Sequence, residues 1–238
     1  MPDINQNEMG EPARSGITNI VRDLVFGIED GLLSTLGLVT GVAGGTRSTG
    51  VVLLAGIVGA LSGAIAMGAG NYLGAKSQAE VLQRRILEEE TSIREDPDRE
   101  SDELTAYYAS RGLTPEEIMV VVPAVMRKAD FLLEEMAAHE LHIDPDDLKN
   151  PIGKGFWMFV SYLIAAALPI APYAMFGRRT AFIVSIGIAA LAVFGIGAAK
   201  TILTKRNPFN SGLEMLAVAA SAGIIGYIAG RFAAVSGI

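Results

Sequence analysis

The chain of 238 residues contains no cysteine, which excludes disulfides, thiolate zinc sites and cysteine nucleophiles. It also lacks a basic, then apolar, leader at its start: Met1 to Gly16 is polar and acidic, so the first apolar run is expected to be a retained span. No glycine-rich nucleotide loop and no serine nucleophile elbow occurs. Charge is the scarcest commodity in two long stretches, roughly 24–75 and 155–230, and apolar runs of that length indicate membrane spans.

What is present is distributed unevenly. Between Ser77 and Asn150 the sequence holds nineteen Asp/Glu and eight Lys/Arg, a local charge of −11 against −7 for the whole chain. So acidic a block excludes nucleic acid as a partner, because phosphate binding needs basic patches. Cations are its natural ligands.

Five spans are predicted, near 20–43, 50–75, 155–176, 180–203 and 210–232. Each has about the 20 residues that cross ~30 Å of hydrocarbon at 1.5 Å per residue. The resulting fold class is all-α and integral to the membrane, with a helical insert between spans two and three. Its domains are a polar tail (1–16), spans one and two (17–76), an acidic helical metal-binding insert (77–150) and spans three to five (151–238). Basic residues beside the span ends set the orientation. Arg14, Arg22, Lys76, Lys154, Lys200, Lys205 and Arg206 outnumber Arg47, Arg178, Arg179 and Arg231, which places the N-terminus and the acidic insert in the cytosol.

Within the insert, span two is expected to continue as one helix to Asp96-Pro97, where Asp96 caps a second helix ending at Gly112. Thr114-Pro115-Glu116-Glu117 reads as a capping box for a third helix, which Pro123 bends or ends. A fourth is expected over about Asp130 to His142.

The residues that could carry chemistry follow from this layout. Asp30 falls near the middle of span one, where a carboxylate costs at least ~2.5 kcal/mol and usually lines an ion path. A protonated carboxyl bonded to a neighbouring helix is the plainer reading. Glu29 lies ~100° around the helix from Asp30 and faces elsewhere. Met67, in span two, is either apolar filler or a soft thioether donor suited to iron(II). Gly59, Gly63, Gly70 and Gly74 form two small-xxx-small pairs suited to close helix contact. Glu100 and Glu103 share a helix face, as ligands or as a solvated acidic surface. His139 and His142 sit at i and i+3, unlike the i, i+4 spacing of zincins.

These residues resemble a known family. Arg22-Asp23, Phe26-Gly27, Asp30-Gly31-Leu32, Gly37-Leu38 and Gly41 are similar to the first span of the vacuolar iron transporter family. That family includes the yeast vacuolar iron/manganese importer and plant nodulin-21-like proteins. Ala66-Met67-Gly68-x-Gly70-x-Tyr72-Leu73-x-Ala75-Lys76-Ser77 resembles its second span, and the likeness covers about residue 17 to the end.

The resemblance implies a five-span homodimer, not an enzyme, that exchanges cytosolic iron(II) for protons and holds no resident cofactor. It implies Asp30 and Met67 as the translocation ligands. It also implies Glu89, Glu100, Glu103, Met136 and Glu140 as metal ligands of the acidic insert. Two positions depart from the family pattern: Ser92 and Ala137 stand where carboxylates are expected. Two other function classes are weighed, a membrane-anchored di-iron oxidase and an acidic metal sensor tethered by inert spans. The oxidase needs two Glu-x-x-His motifs, and only one histidine region exists. The sensor leaves Asp30 in the membrane without a purpose. The expected setting is a prokaryotic plasma membrane, with divalent metal ions, protons and the lipid bilayer as partners.

Overall fold

A computed structural model describes residues 11–128, 132 and 150–236, with side chains from residue 22 onward apart from 203 and 204. The order is α1 (Glu11–Gly45), α2 (Thr49–Glu95), α3 (Pro97–Ser110), α4 (Pro115–Met126), α5 (Pro151–Met175), α6 (Arg178–Ala199), the single turn α7 (Thr201–Thr204) and α8 (Pro208–Val235). Among the described residues there is no strand. The fold is all-helical, and segments within α1, α2, α5, α6 and α8 are long and apolar enough to cross a bilayer. Their exposed leucines and isoleucines, such as Leu54, Ile65, Leu191, Ile224 and Ile228, suit a lipid surround, where only helices or closed barrels satisfy their own backbone. The chain is a multi-pass integral membrane protein.

The chain divides into two compact units, one built on Gly74–Asn150 and the other on Ile17–Leu73 with Pro151–Ile238. Helix α2 supplies residues to both.

In the unit that holds the five spans, small side chains let the helices approach closely. One core joins Val39, Val52, Ala60, Ala64, Tyr162, Ala166 and Ile170 from α1, α2 and α5. A second joins Leu32, Leu36, Ala165, Ala189, Val193, Met215 and Ala219 from α1, α5, α6 and α8. Glycine permits the closest approaches. A Cβ on Gly226 or Gly230 of α8 would overlap the backbone of Gly37 or Gly41 of α1, so the α1–α8 contact is backbone against backbone. Gly59 and Gly63 likewise receive Leu38 and the Tyr162 ring, whereas Gly70 and Gly74 meet nothing within 4 Å among the described residues. Of the two glycine pairs expected to pack, the first alone packs against described residues of this chain.

The acidic unit forms where its caps direct it. Helix α2 runs unbroken to Glu95, and the Asp96 side chain accepts from the Arg99 N–H to start α3. Gly112, at φ 91°, turns the chain after α3. Thr114 and Glu117 form the reciprocal capping box of α4. Two hydrogen bonds onto Glu117 Oε2, donated by the Thr114 backbone N–H and by its hydroxyl, hold this carboxyl below its ordinary pKa. Pro123 lies inside α4 without ending it, and the helix continues to Met126. Leu104, Ile118, Val122, Val125 and Leu132 make the core of this unit. Apart from Leu132, the fourth helix expected over Asp130 to His142, with both histidines, lies outside the described residues.

Candidate functional site

Two places hold the chemistry-bearing side chains. The first lies among the spans. Helices α1 and α5 touch at Gly27 and Gly31, where a Cβ would overlap Ser161 Oγ and the Tyr162 carbonyl. Asp30, on the same stretch of α1, is half-buried. The Ser34 hydroxyl, one turn on, donates to the Asp30 carbonyl at 2.6 Å and lies 2.7 Å from the Tyr162 hydroxyl. Glu29 faces another way, as its position on the helix dictates: its Oε1 lies 3.9 Å from Lys200 Nζ at the end of α6.

Met67 lines a cavity of about 380 Å³ with Arg22, Asp23, Phe26, Asn71 and Met158. Asp30 is not among the residues lining it, although it stands one turn beyond Phe26 on the same face of α1. Asp23 is buried, with Arg22 at 3.7 Å and the Asn71 carboxamide at 3.5 Å. Asn71 Nδ2 also donates to the Lys154 carbonyl at 3.0 Å. The cavity thus presents two thioethers, a carboxylate beside the Arg22 guanidinium and a carboxamide, and thioethers suit a divalent transition metal better than calcium or magnesium.

Asp23, Asn71 and Met158 were not singled out as candidate ligands from sequence. Helical spacing carried a signal for two of them. Asp23 is seven residues before Asp30 and Asn71 four after Met67, so each shares a face with a residue that was chosen. Nothing in the spacing signals Met158, which reaches the cavity from α5.

The second place is the acidic unit. Glu89 is buried on α2, and Glu100 on α3 is fully buried. Glu100 Oε1 accepts from the Ser92 hydroxyl at 2.7 Å and from Arg99 Nη2 at 3.2 Å. Its other oxygen, Oε2, is buried without a hydrogen-bond partner among the described residues. Arg99 Nε lies 3.2 Å from Glu103 Oε1. The carboxylates of Glu103 and then Glu100 raise the proton affinity of this guanidinium further. Among the described residues, no three Asp, Glu or His side chains converge closely enough to hold a metal ion. Met136 and Glu140, the remaining expected ligands, lie outside the described residues.

Comparison with known proteins places these features in context. A model of the VIT family matches residues 21–231. Vacuolar iron transporter 1 of Eucalyptus grandis is 34% identical over 204 residues, covering 85% of this chain and 82% of the relative. Vacuolar iron transporter 1 of Arabidopsis thaliana is 32% identical over 204 residues, with the same coverage of 85% and 82%. The vacuolar iron transporter of Plasmodium falciparum (isolate 3D7) is 25% identical over 220 residues, covering 88% and 81%.

Proposed function

The chain belongs to the VIT family, and on that premise we propose that it carries a divalent transition metal, iron(II) first and manganese(II) second, out of the cytosol in exchange for protons. Membership in a family of transporters sets aside the oxidase reading: the chain is not an enzyme. The observation that carries the proposal is the cavity beside Met67, with the Asp23 carboxylate and the Asn71 carboxamide, inside a bundle of membrane spans.

Three steps make up the mechanism. The acidic unit, with its surplus of carboxylates, raises the local density of cations on its side of the membrane. The metal enters the span cavity, where Asp23 and Asn71 offer oxygen ligands and Met67 a soft donor. It then passes to Asp30 and Met67, each protomer of a homodimer supplying one such pair. Gly70 and Gly74, open on α2, support a close α2 contact between the two copies. Once the metal leaves, an unpaired carboxylate in a nearly dry bundle is costly. A proton taken up in its place removes that cost, and alternating occupants give antiport.

In the acidic unit, Glu89, Glu100 and Glu103 serve as the described part of a second site, which Met136 and Glu140 complete. Oε2 of Glu100, without a hydrogen-bond partner among the described residues, supports a cation there, since buried carboxylate oxygens rarely stand alone. We place the protein in a plasma membrane with the acidic unit cytosolic, while its relatives carry "vacuolar" in their names. A tagged chain followed by microscopy separates the two.

The decisive test is metal uptake into sealed proteoliposomes carrying a pH-sensitive dye, with and without a proton gradient. Iron(II) or manganese(II) flux accompanied by proton counterflow is expected. Robust flux with no proton movement would overturn antiport and leave a uniporter. No flux with intact metal binding would favour the tethered sensor.

A further inference from the structure

The opposite end of the span bundle, where α1 turns into α2 and α5 into α6, carries a feature that metal transport does not use. Arg47, Arg178, Arg179 and Arg231 lie there, while the spans place their acids, Asp23, Glu29, Asp30 and Glu214, toward the other end. No ion pair to any of these four arginines exists among the described residues. Arg178 and Arg179 line a cavity of about 410 Å³ with Ala43, Phe182, Ile183 and Tyr227. Arg178 Nη2 donates to the Ala43 carbonyl at 3.2 Å, which fixes its guanidinium at the rim and leaves its other N–H groups to a ligand. The two arginines open α6, whose N-cap is Gly177 with no side-chain hydrogen bond and whose first turn has no acid. Cations at the positive end of a helix repel it, so this arrangement gains most from an anion.

A second cavity, about 300 Å³, shares Phe182 and Tyr227 with the first. It continues between α1, α6 and α8 past Leu36, Ile186, Ala219 and Gly223. The Thr40 hydroxyl beside it is spent on the Leu36 carbonyl at 2.6 Å, so the channel offers little but hydrocarbon. From Tyr227 back to Ala219 it follows α8 for about 12 Å, eight residues at 1.5 Å each. A guanidinium pair at a bundle end, opening into an apolar groove toward the bilayer centre, has the shape and polarity of one amphiphile.

We propose that these joined cavities bind an anionic phospholipid, with its phosphate on Arg178 and Arg179 and an acyl chain along the α1–α6–α8 groove. Planar guanidinium groups match phosphate oxygens in pairs. Free inorganic phosphate would fill the arginine end and leave the groove empty. An uncharged lipid would fill the groove and leave two cations unmatched. Arginines that merely reach to the interface would need no groove behind them.

The test uses the full chain, delipidated in mild detergent and titrated with phosphatidylglycerol or phosphatidylcholine of identical acyl chains, with bound lipid counted by native mass spectrometry. At least about fivefold preference for phosphatidylglycerol is expected from two arginine contacts. R178Q/R179Q should abolish the preference, and R179Q alone, which spares the bond to Ala43, should reduce it. Gly223→Leu should lower retention of both lipids, since a Cβ there has nothing nearer than 4.0 Å and the larger side chain enters the groove. Arg47→Gln and Arg231→Gln should leave the preference unchanged. Equal binding of the two lipids by the unaltered protein, or an equal loss from the Arg47 and Arg231 variants, would overturn the site. Complete displacement of phosphatidylglycerol by millimolar inorganic phosphate would reassign it to a free anion and overturn the lipid proposal.

Discussion

The Ser92 hydroxyl donates a 2.7 Å hydrogen bond to Oε1 of the fully buried Glu100, and the same hydroxyl oxygen accepts from Arg99 Nη2 at 2.8 Å. Where the resemblance implies a carboxylate, this chain has a neutral bridge that ties an arginine to a glutamate. A metal ion entering among Glu89, Glu100 and Glu103 therefore meets one carboxylate fewer and a cation already in place.

Arg99→Gln should tighten divalent-metal binding by the acidic unit severalfold, because the ion no longer displaces a guanidinium from Glu100 and Glu103. Ser92→Glu should tighten it further by restoring a charge. Replacing Glu100 and Glu103 together should weaken binding more than replacing Glu116 and Glu117, of which Glu117 serves a helix cap. Calorimetry with manganese(II) reads all of these, and equal losses from the two pairs would point to a diffuse acidic surface.

Asp30→Asn should insert and fold normally, since it removes a charge that is costly in lipid, and should lose metal flux almost completely in proteoliposomes. Asp23→Asn should reduce flux less, by lowering the charge of the cavity through which the ion arrives. Wild-type flux in the Asp30 variant would remove that residue from the pathway.

Met67 packs against the α1–α2–α5 core as well as lining the cavity, so the choice of substitution decides what is learned. Met67→Leu keeps the volume and should change stability by less than about 1.5 kcal/mol, while iron(II) transport falls because the sulfur is gone. Undiminished transport in the leucine variant would make Met67 a packing residue only.

Thr114→Ala removes the cap of α4 and should cost ~1 kcal/mol, read as a lower melting temperature of helicity for the protein in detergent. The effect should depend on pH. The Glu117 carboxyl is held below its ordinary pKa by Thr114, so its contribution is fully present above the unfolded-state value. It is lost as pH falls through the lowered folded value. The gap between wild type and Thr114→Ala should therefore narrow on acidification below about pH 4. A gap that widened would contradict the assigned hydrogen bonds.

Much of this protein was written in local pattern. Runs of apolar residues set five spans because backbone in lipid must satisfy itself, and that requirement reads directly from length and composition. The Asp96-Pro97 boundary, the turn at Gly112 and the Thr114–Glu117 box were legible because caps involve residues within a few positions of one another. Asp30 stood out because charge is conspicuous where there is almost none.

Tertiary structure decided what depends on residues far apart in the chain. Gly59 and Gly63 look the same in sequence as Gly70 and Gly74, yet among the described residues only the first pair receives a neighbour, because α5 brings Tyr162 to Gly63 and α1 brings Leu38 to Gly59. Met158 joins Met67, and Lys200 comes within 3.9 Å of Glu29, through helix contacts that no periodicity encodes. Ser92 reads as a missing ligand until Glu100 and Arg99 are seen to share its hydroxyl. A helical repeat fixes which side chains point the same way, but only packing fixes what they point at.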